Sequence, residues 1–196
     1  MIGRTIAELR AGDAAELSRR VEMADIGEFV DAVGDYNPIH SDPEFAAATP
    51  FGEPIAPGVF TAGLISAVIG TRMPGPGAIY LSQSLKFVKP VKAGDIITAR
   101  VEVLEVLPDR NRIRLSTSCR NQRGEEVLSG EAWVMPSRTA IVYEAERERP
   151  APATLPAFQP WVWASHTMAL WGAMGLALLT GLRRPEPSRP TSASRR

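Results

Sequence analysis

Residues 59–69 run Val-Phe-Thr-Ala-Gly-Leu-Ile-Ser-Ala-Val-Ile, without a single charge. The run predicts a helix that is apolar on nearly every side, narrowed by Ala62, Gly63, Ser66, Ala67 and Gly70. Such a helix has no polar stripe to offer water and must be buried. The rest of the chain has to supply its cover.

Strands are the natural candidates. After Pro74-Gly75-Pro76-Gly77, segments with strand character follow at 78–87, 95–106, 112–120 and 126–135. Pro108-Asp109 and Arg123-Gly124 mark turns between the later ones. A first strand is expected at 14–23. Asp25-Ile26-Gly27-Glu28 has the spacing of a capping box, predicting a helix that runs to Val33 and stops at Gly34. Asp42-Pro43 repeats the start signal for a short helix through Ala48. Helices early and strands late indicate an α+β domain, with an antiparallel sheet wrapped around one apolar helix.

Composition bounds the function. The chain has 196 residues, 44% of them apolar, and 22 basic residues against 22 acidic ones. That balance argues against nucleic acid as a partner, because such proteins carry a basic excess. Cys119 is the only cysteine, so no internal disulfide forms, and its place in an alternating segment reads as a small packing residue. No secretory signal is visible at the N-terminus, and a reducing, cytoplasmic setting is the expectation.

The chemistry concentrates in Gly34-Asp35-Tyr36-Asn37-Pro38-Ile39-His40. A fully extended chain would hold Asp35 and His40 roughly 17 Å apart. Gly34 ends a helix, while Pro38 fixes its own φ and pushes Asn37 out of the helical region, so the chain must bend. The bend lets carboxylate and imidazole converge on a volume fit for one water. Such a pair suits general acid–base work near neutral pH. The spacing is not a metal-ligand pattern, and His166 is the only other histidine, so no metal is expected. A surface loop of ordinary composition is the competing reading of these residues.

Asp35-Tyr36-Asn37-Pro38-Ile39-His40, with Asp42-Pro43-Glu44-Phe45-Ala46 after it, resembles the hydratase motif of MaoC-like, (R)-specific enoyl-CoA hydratases. The block at 51–66, from Phe51-Gly52-Glu53-Pro54 to Leu64-Ile65-Ser66, resembles the same family, as does Ile79-Tyr80-Leu81-Ser82-Gln83-Ser84-Leu85-Lys86-Phe87. The likeness spans roughly 3 to 137 and is strongest to short enzymes that feed polyhydroxyalkanoate synthesis. It implies a hot-dog fold, a sheet wrapped around one long helix, working as a homodimer. It also implies that Asp35 and His40 hold the water and move its proton, adding water to a trans-2-enoyl-CoA to give the (R)-3-hydroxyacyl-CoA.

By the same resemblance Gly58 offers its backbone N–H to the thioester oxygen, Ser66 helps hold the catalytic carboxylate, and Asn37 braces the loop. Coenzyme A is then part of the substrate, and no cofactor is expected. Pro57 departs from the family, which commonly has histidine there; proline removes its own amide but leaves that of Gly58. Asp42 is explained by helix capping alone. Lys86, Lys89 and Lys92 are the only lysines and lie near a strand end, where they either meet coenzyme A phosphates or are merely solvated.

The domain is expected to occupy 1–140, followed by a charged and proline-rich linker at 141–160. An uncharged apolar run fills 161–182, and an arginine-bearing tail 183–196. The run is about as long as a bilayer is thick when helical, with Trp161 and Trp163 at one end and Arg183-Arg184 at the other. The five arginines of the tail oppose a simple span, since they would have to cross. A membrane anchor, docking onto a partner or lipid surface, and a poorly ordered tail all stay open. Among functions, 3-hydroxyacyl-ACP dehydratase, acyl-CoA thioesterase and a noncatalytic acyl-binding module stand as alternatives. The complete Asp-x-Asn-Pro-x-His segment favours the hydratase.

Overall fold

The computed structural model describes residues 1–144; most of the expected linker, the run at 161–182 and the tail lie outside the described residues. Short β1 (Ile2–Gly3) is followed by β2 (Ala14–Arg20), α1 (Met23–Val33), α2 (Pro43–Ala47) and α3 (Gly58–Thr71). Strands β3 (Ile79–Phe87), β4 (Ile96–Leu107), β5 (Arg112–Arg120), β6 (Glu126–Met135) and β7 (Ile141–Val142) complete the order. Among the described residues, no helix is long and apolar enough to cross a membrane.

Five strands form one antiparallel sheet in the order β2-β4-β5-β6-β3. Alternation along each strand sorts its side chains between two faces. Ile97, Ala99, Val101 and Val103 of β4, with Ile113, Leu115 and Cys119 of β5, are buried. Leu64, Ile65, Val68 and Ile69 of α3 join the same core. Fully burying each of these valine, leucine and isoleucine side chains stabilises the fold by about 1.5–3 kcal/mol. The intervening side chains carry ion pairs, Arg100 with Glu16 and Glu102, and Arg114 with Glu105 and Glu131. The sheet and central helix are those of the expected α+β hot-dog architecture.

The helix is not covered on every side. Val59, Gly63, Ser66 and Gly70 remain exposed, three or four positions apart, and so form one stripe along α3. The sheet wraps only the opposite side. The small residues make the open stripe shallow, which explains why an apolar composition alone overstated its burial.

Three local expectations are corrected. The first strand ends at Arg20, and α1 begins at Met23 rather than near Asp25. Asp25 sits in the first turn and accepts a hydrogen bond from the Glu22 amide at 3.1 Å, so the capping box begins one turn earlier. The segment expected to open a linker at 141 instead pairs with the N-terminus, β7 running antiparallel to β1.

The two ends of α3 have different neighbours. At its N-terminal end lie the 34–40 loop and the 51–57 approach segment. At its C-terminal end, the Arg4 amide donates to the Pro74 carbonyl at 2.8 Å, and Asn111 Nδ2 donates to the Pro136 carbonyl at 2.9 Å. Residues 1–5, 72–77, 108–112 and 136–143 therefore converge there.

Candidate active site

Gly34 adopts the left-handed conformation at φ 74°, ψ 20° and ends α1, its N–H donating to the Val30 carbonyl at 2.8 Å. Asn37 then caps a tight turn, Pro38–His40, its Oδ1 accepting from the Ile39 amide at 3.3 Å. Asp42 caps α2 in the same way, accepting from the Glu44 and Phe45 amides at 2.9 and 3.0 Å. The segment folds back on itself because each of its polar short side chains satisfies a nearby amide.

The fold-back brings the expected pair together. Asp35 Oδ2 lies 3.6 Å from His40 Nε2. One water oxygen can hydrogen-bond to both atoms across that gap. The His40 side chain is 10% exposed and that of Asp35 48%, so the imidazole is walled in while the carboxylate faces solvent.

The imidazole is oriented from outside the loop. His40 Nδ1 is 2.7 Å from the carbonyl of Ile55, and a carbonyl only accepts, so Nδ1 carries the proton. In the neutral ring Nε2 then presents its lone pair towards Asp35. A second hydrogen bond, from the Ile55 amide to the Ile39 carbonyl at 3.2 Å, ties the same two segments together. Sequence reasoning missed Ile55, because this contact is non-local and made through backbone atoms.

Ile55 also connects the pair to α3. An apolar hollow of about 400 Å³ is lined by Phe51, Ile55, Gly58, Val59, Phe87 and Val91, among others. Asp35 and His40 are not part of its lining, so the hollow adjoins these two side chains rather than containing them. Gly58 is the first residue of α3, with Pro57 at the cap. Amides in the first helical turn have no partner within the helix and carry the positive end of its dipole. A Cβ on Gly58 would meet the Phe87 ring at 2.8–3.0 Å, so only glycine fits beneath that ring without a shift.

The remaining expectations divide. Ser66 stands on the exposed stripe of α3, and among the described residues no hydrogen bond joins it to Asp35. Lys89 Nζ pairs with Glu125 Oε1, and Lys92 Nζ with Glu53 Oε1, each at 2.6 Å. Cys119 is buried, and that burial pushes its thiol up to about 12, which suits a packing residue.

The description "MaoC like domain" belongs to the family model that matches residues 9–121. A 3-hydroxybutyryl-CoA dehydratase of Methylorubrum extorquens is 50% identical over 127 residues, covering 65% of this chain and 80% of the relative. An (R)-specific enoyl-CoA hydratase of Rhodospirillum rubrum is 43% identical over 128 residues, covering 65% of this chain and 88% of the relative. Among solved structures, an (R)-hydratase from Pseudomonas aeruginosa superposes with TM-score 0.72 at 42% identity, covering 77% of this chain and 97% of that one. With this loop geometry and these relatives, the chain belongs to the MaoC-like domain family.

Proposed function

We propose that this chain is an (R)-specific enoyl-CoA hydratase, adding water across the double bond of a trans-2-enoyl-CoA in a reversible reaction. The observation that carries the reading is the 3.6 Å approach of Asp35 Oδ2 and His40 Nε2, close enough for one water to hydrogen-bond to both. Relatives of 43–50% identity are named for hydration or dehydration of acyl-CoA substrates.

The chemistry follows from the groups present. His40 Nε2 removes one proton from the water as its oxygen bonds to C3, while the other O–H, which becomes the product hydroxyl, donates a hydrogen bond to Asp35 and so fixes the angle of attack. The π pair of the double bond moves to the thioester oxygen, where the Gly58 N–H stabilises the developing charge. Collapse of that enolate takes the proton from His40 Nε2 at C2, which returns the imidazole to its neutral form. General acid–base catalysis by such a group contributes about 10²–10⁴-fold. The apolar hollow beside Gly58 suits the acyl or pantetheine portion of the substrate.

A second copy of the chain completes this reading. Strand β3 lies at one edge of the sheet, and its Ile79, Leu81, Leu85 and Phe87 are exposed. An open edge of that length carrying apolar side chains is a template for pairing, and a homodimer that joins two β3 edges would cover it. For the run at 161–182, its length and flanking tryptophans support contact with a lipid surface.

The test is direct. Purified full-length protein should hydrate crotonyl-CoA, read as loss of the enoyl absorbance, and chiral analysis should return the (R) alcohol. Release of free coenzyme A thiol without hydration would identify a thioesterase instead. Activity restricted to acyl-carrier-protein thioesters would move the assignment to a dehydratase of that class.

A further inference from the structure

We propose that the end of the domain bearing the C-terminus of α3 is a docking face for an anionic lipid surface. Four arginines, Arg72, Arg110, Arg112 and Arg138, are exposed on the segments that converge there. Among the described residues none of the four lies within ion-pair distance of a carboxylate. The convergence itself is fixed by contacts: Asn111 to Pro136, Arg4 to Pro74, and Gly77 lying against Ser137 and Ile141.

Apolar side chains share that end. The β1–β7 clasp leaves Ile2 65%, Val142 76% and Tyr143 54% exposed, with Met1 beside them. Backbone bonds hold them together, Tyr143 N–H donating to the Met1 carbonyl at 2.9 Å. Aliphatic groups and a tyrosine beside unpaired guanidinium groups match the boundary between acyl chains and anionic headgroups. Nucleic acid would reward the arginines but leave the aliphatic groups unused.

Charge is distributed along the domain to orient it. The chain as a whole is neutral, with 22 basic and 22 acidic residues. Around the active-site end, Glu28, Asp31, Asp42 and Glu44 are exposed and, among the described residues, no lysine or arginine pairs with them, while Asp35 has only His40 beside it. An anionic surface attracts the arginine end and repels the acidic end. The helix between them is 14 residues long, which separates the two ends by roughly 21 Å. Docking in this sense leaves Asp35 and His40 facing the aqueous phase. The described chain also ends on the basic face, just beyond β7, and the uncharged run at 161–182 follows in sequence.

The experiment is co-sedimentation of the full-length chain with vesicles of phosphatidylcholine alone or mixed with phosphatidylserine. The expected result is binding to the anionic vesicles, weakened by added salt. Each arginine removed should lower the partition roughly fivefold, so R110Q/R112Q/R138Q should lower it about a hundredfold. V142S/Y143S should weaken binding with little change in its salt dependence, and E28Q/D31N should leave it intact. Unchanged thermal melting of each variant establishes that it folds. The proposal is overturned if the parent ignores anionic vesicles, or binds neutral ones equally well. It is also overturned if the triple arginine variant binds as the parent does, which would place attachment elsewhere in the chain. A change in the size of the protein in solution on removing the arginines would assign the face to a second copy instead.

Discussion

The Gly58 amide can be tested without disturbing the acid–base pair. Gly58 is the first residue of α3, a position where proline is tolerated because that N–H has no helical partner. Alanine keeps the N–H and proline deletes it. Both introduce a Cβ that would lie 2.8–3.0 Å from three atoms of the Phe87 ring. That is roughly half an ångström or more inside ordinary contact distance, so the ring must move in either case. Phe87 is 52% exposed and has room to do so. Pairing each change with Phe87→Leu removes two of the three clashing atoms, Cε1 and Cζ, gives both variants the same residual contact and leaves the amide as the difference. G58A/F87L should keep kcat/KM within about tenfold of the parent. G58P/F87L should lose a further 10²–10³-fold or so, about 2.7–4 kcal/mol, the usual cost of one oxyanion donor. Steady-state hydration of crotonyl-CoA, with thermal melts as the folding control, makes the comparison. Equal kcat/KM for the two double variants would refute the assignment of this N–H to the thioester oxygen.

Two further outcomes follow from titratable groups away from the site. Glu125 is hydrogen-bonded by Asn121, Lys89 and Arg123, which hold its carboxyl down to about 2 from an ordinary 4.5. A depressed folded-state value stabilises the fold above the unfolded value and loses that contribution as pH falls through the folded one. Glu125→Gln should therefore lower the denaturant midpoint at neutral pH, with the gap closing below about 4.5 and gone near 2; a gap that widened on acidification would contradict this. Cys119 should resist thiol reagents in the native protein at mildly alkaline pH and react once denatured, because its thiol is pushed up to about 12. Rapid native alkylation would show that the core beneath β5 opens.

Much of the fold is visible in the sequence where local signals agree. The strands at 112–120 and 126–135 show clear alternation, bounded by turn residues at 108–109 and 123–124, and their limits match β5 and β6. The start of α1 is hidden because Asp25-x-x-Glu28 carries the preferred capping residue types, while the box used is Glu22-x-x-Asp25, whose glutamate is not a preferred cap. Strands β1 and β7 are two residues each, too short to show any period. The open stripe of α3 is made largely of Gly63, Ser66 and Gly70, which carry little hydropathic signal in either direction.

The approach of Asp35 and His40 was legible because everything that bends 34–40 is local: a left-handed glycine, an asparagine cap and a proline. What orients His40 was not. The Ile55 carbonyl lies 15 positions away and contributes a backbone atom, which no side-chain pattern encodes. The hollow beside Gly58 likewise joins the 51–59 segment to Phe87 on β3 and Val127 on β6, an assembly that exists only after the sheet has formed.

The most direct measurement is a double-mutant cycle on Asp35→Asn and His40→Gln, read as kcat/KM for crotonyl-CoA hydration with near-ultraviolet circular dichroism to confirm the fold. Two groups gripping one water act as a unit, so each single change should cost roughly 10²–10⁴-fold and the double change little more than the worse single. Losses that simply multiply, or either variant retaining parental activity, would mean that the two side chains do not share the reacting water.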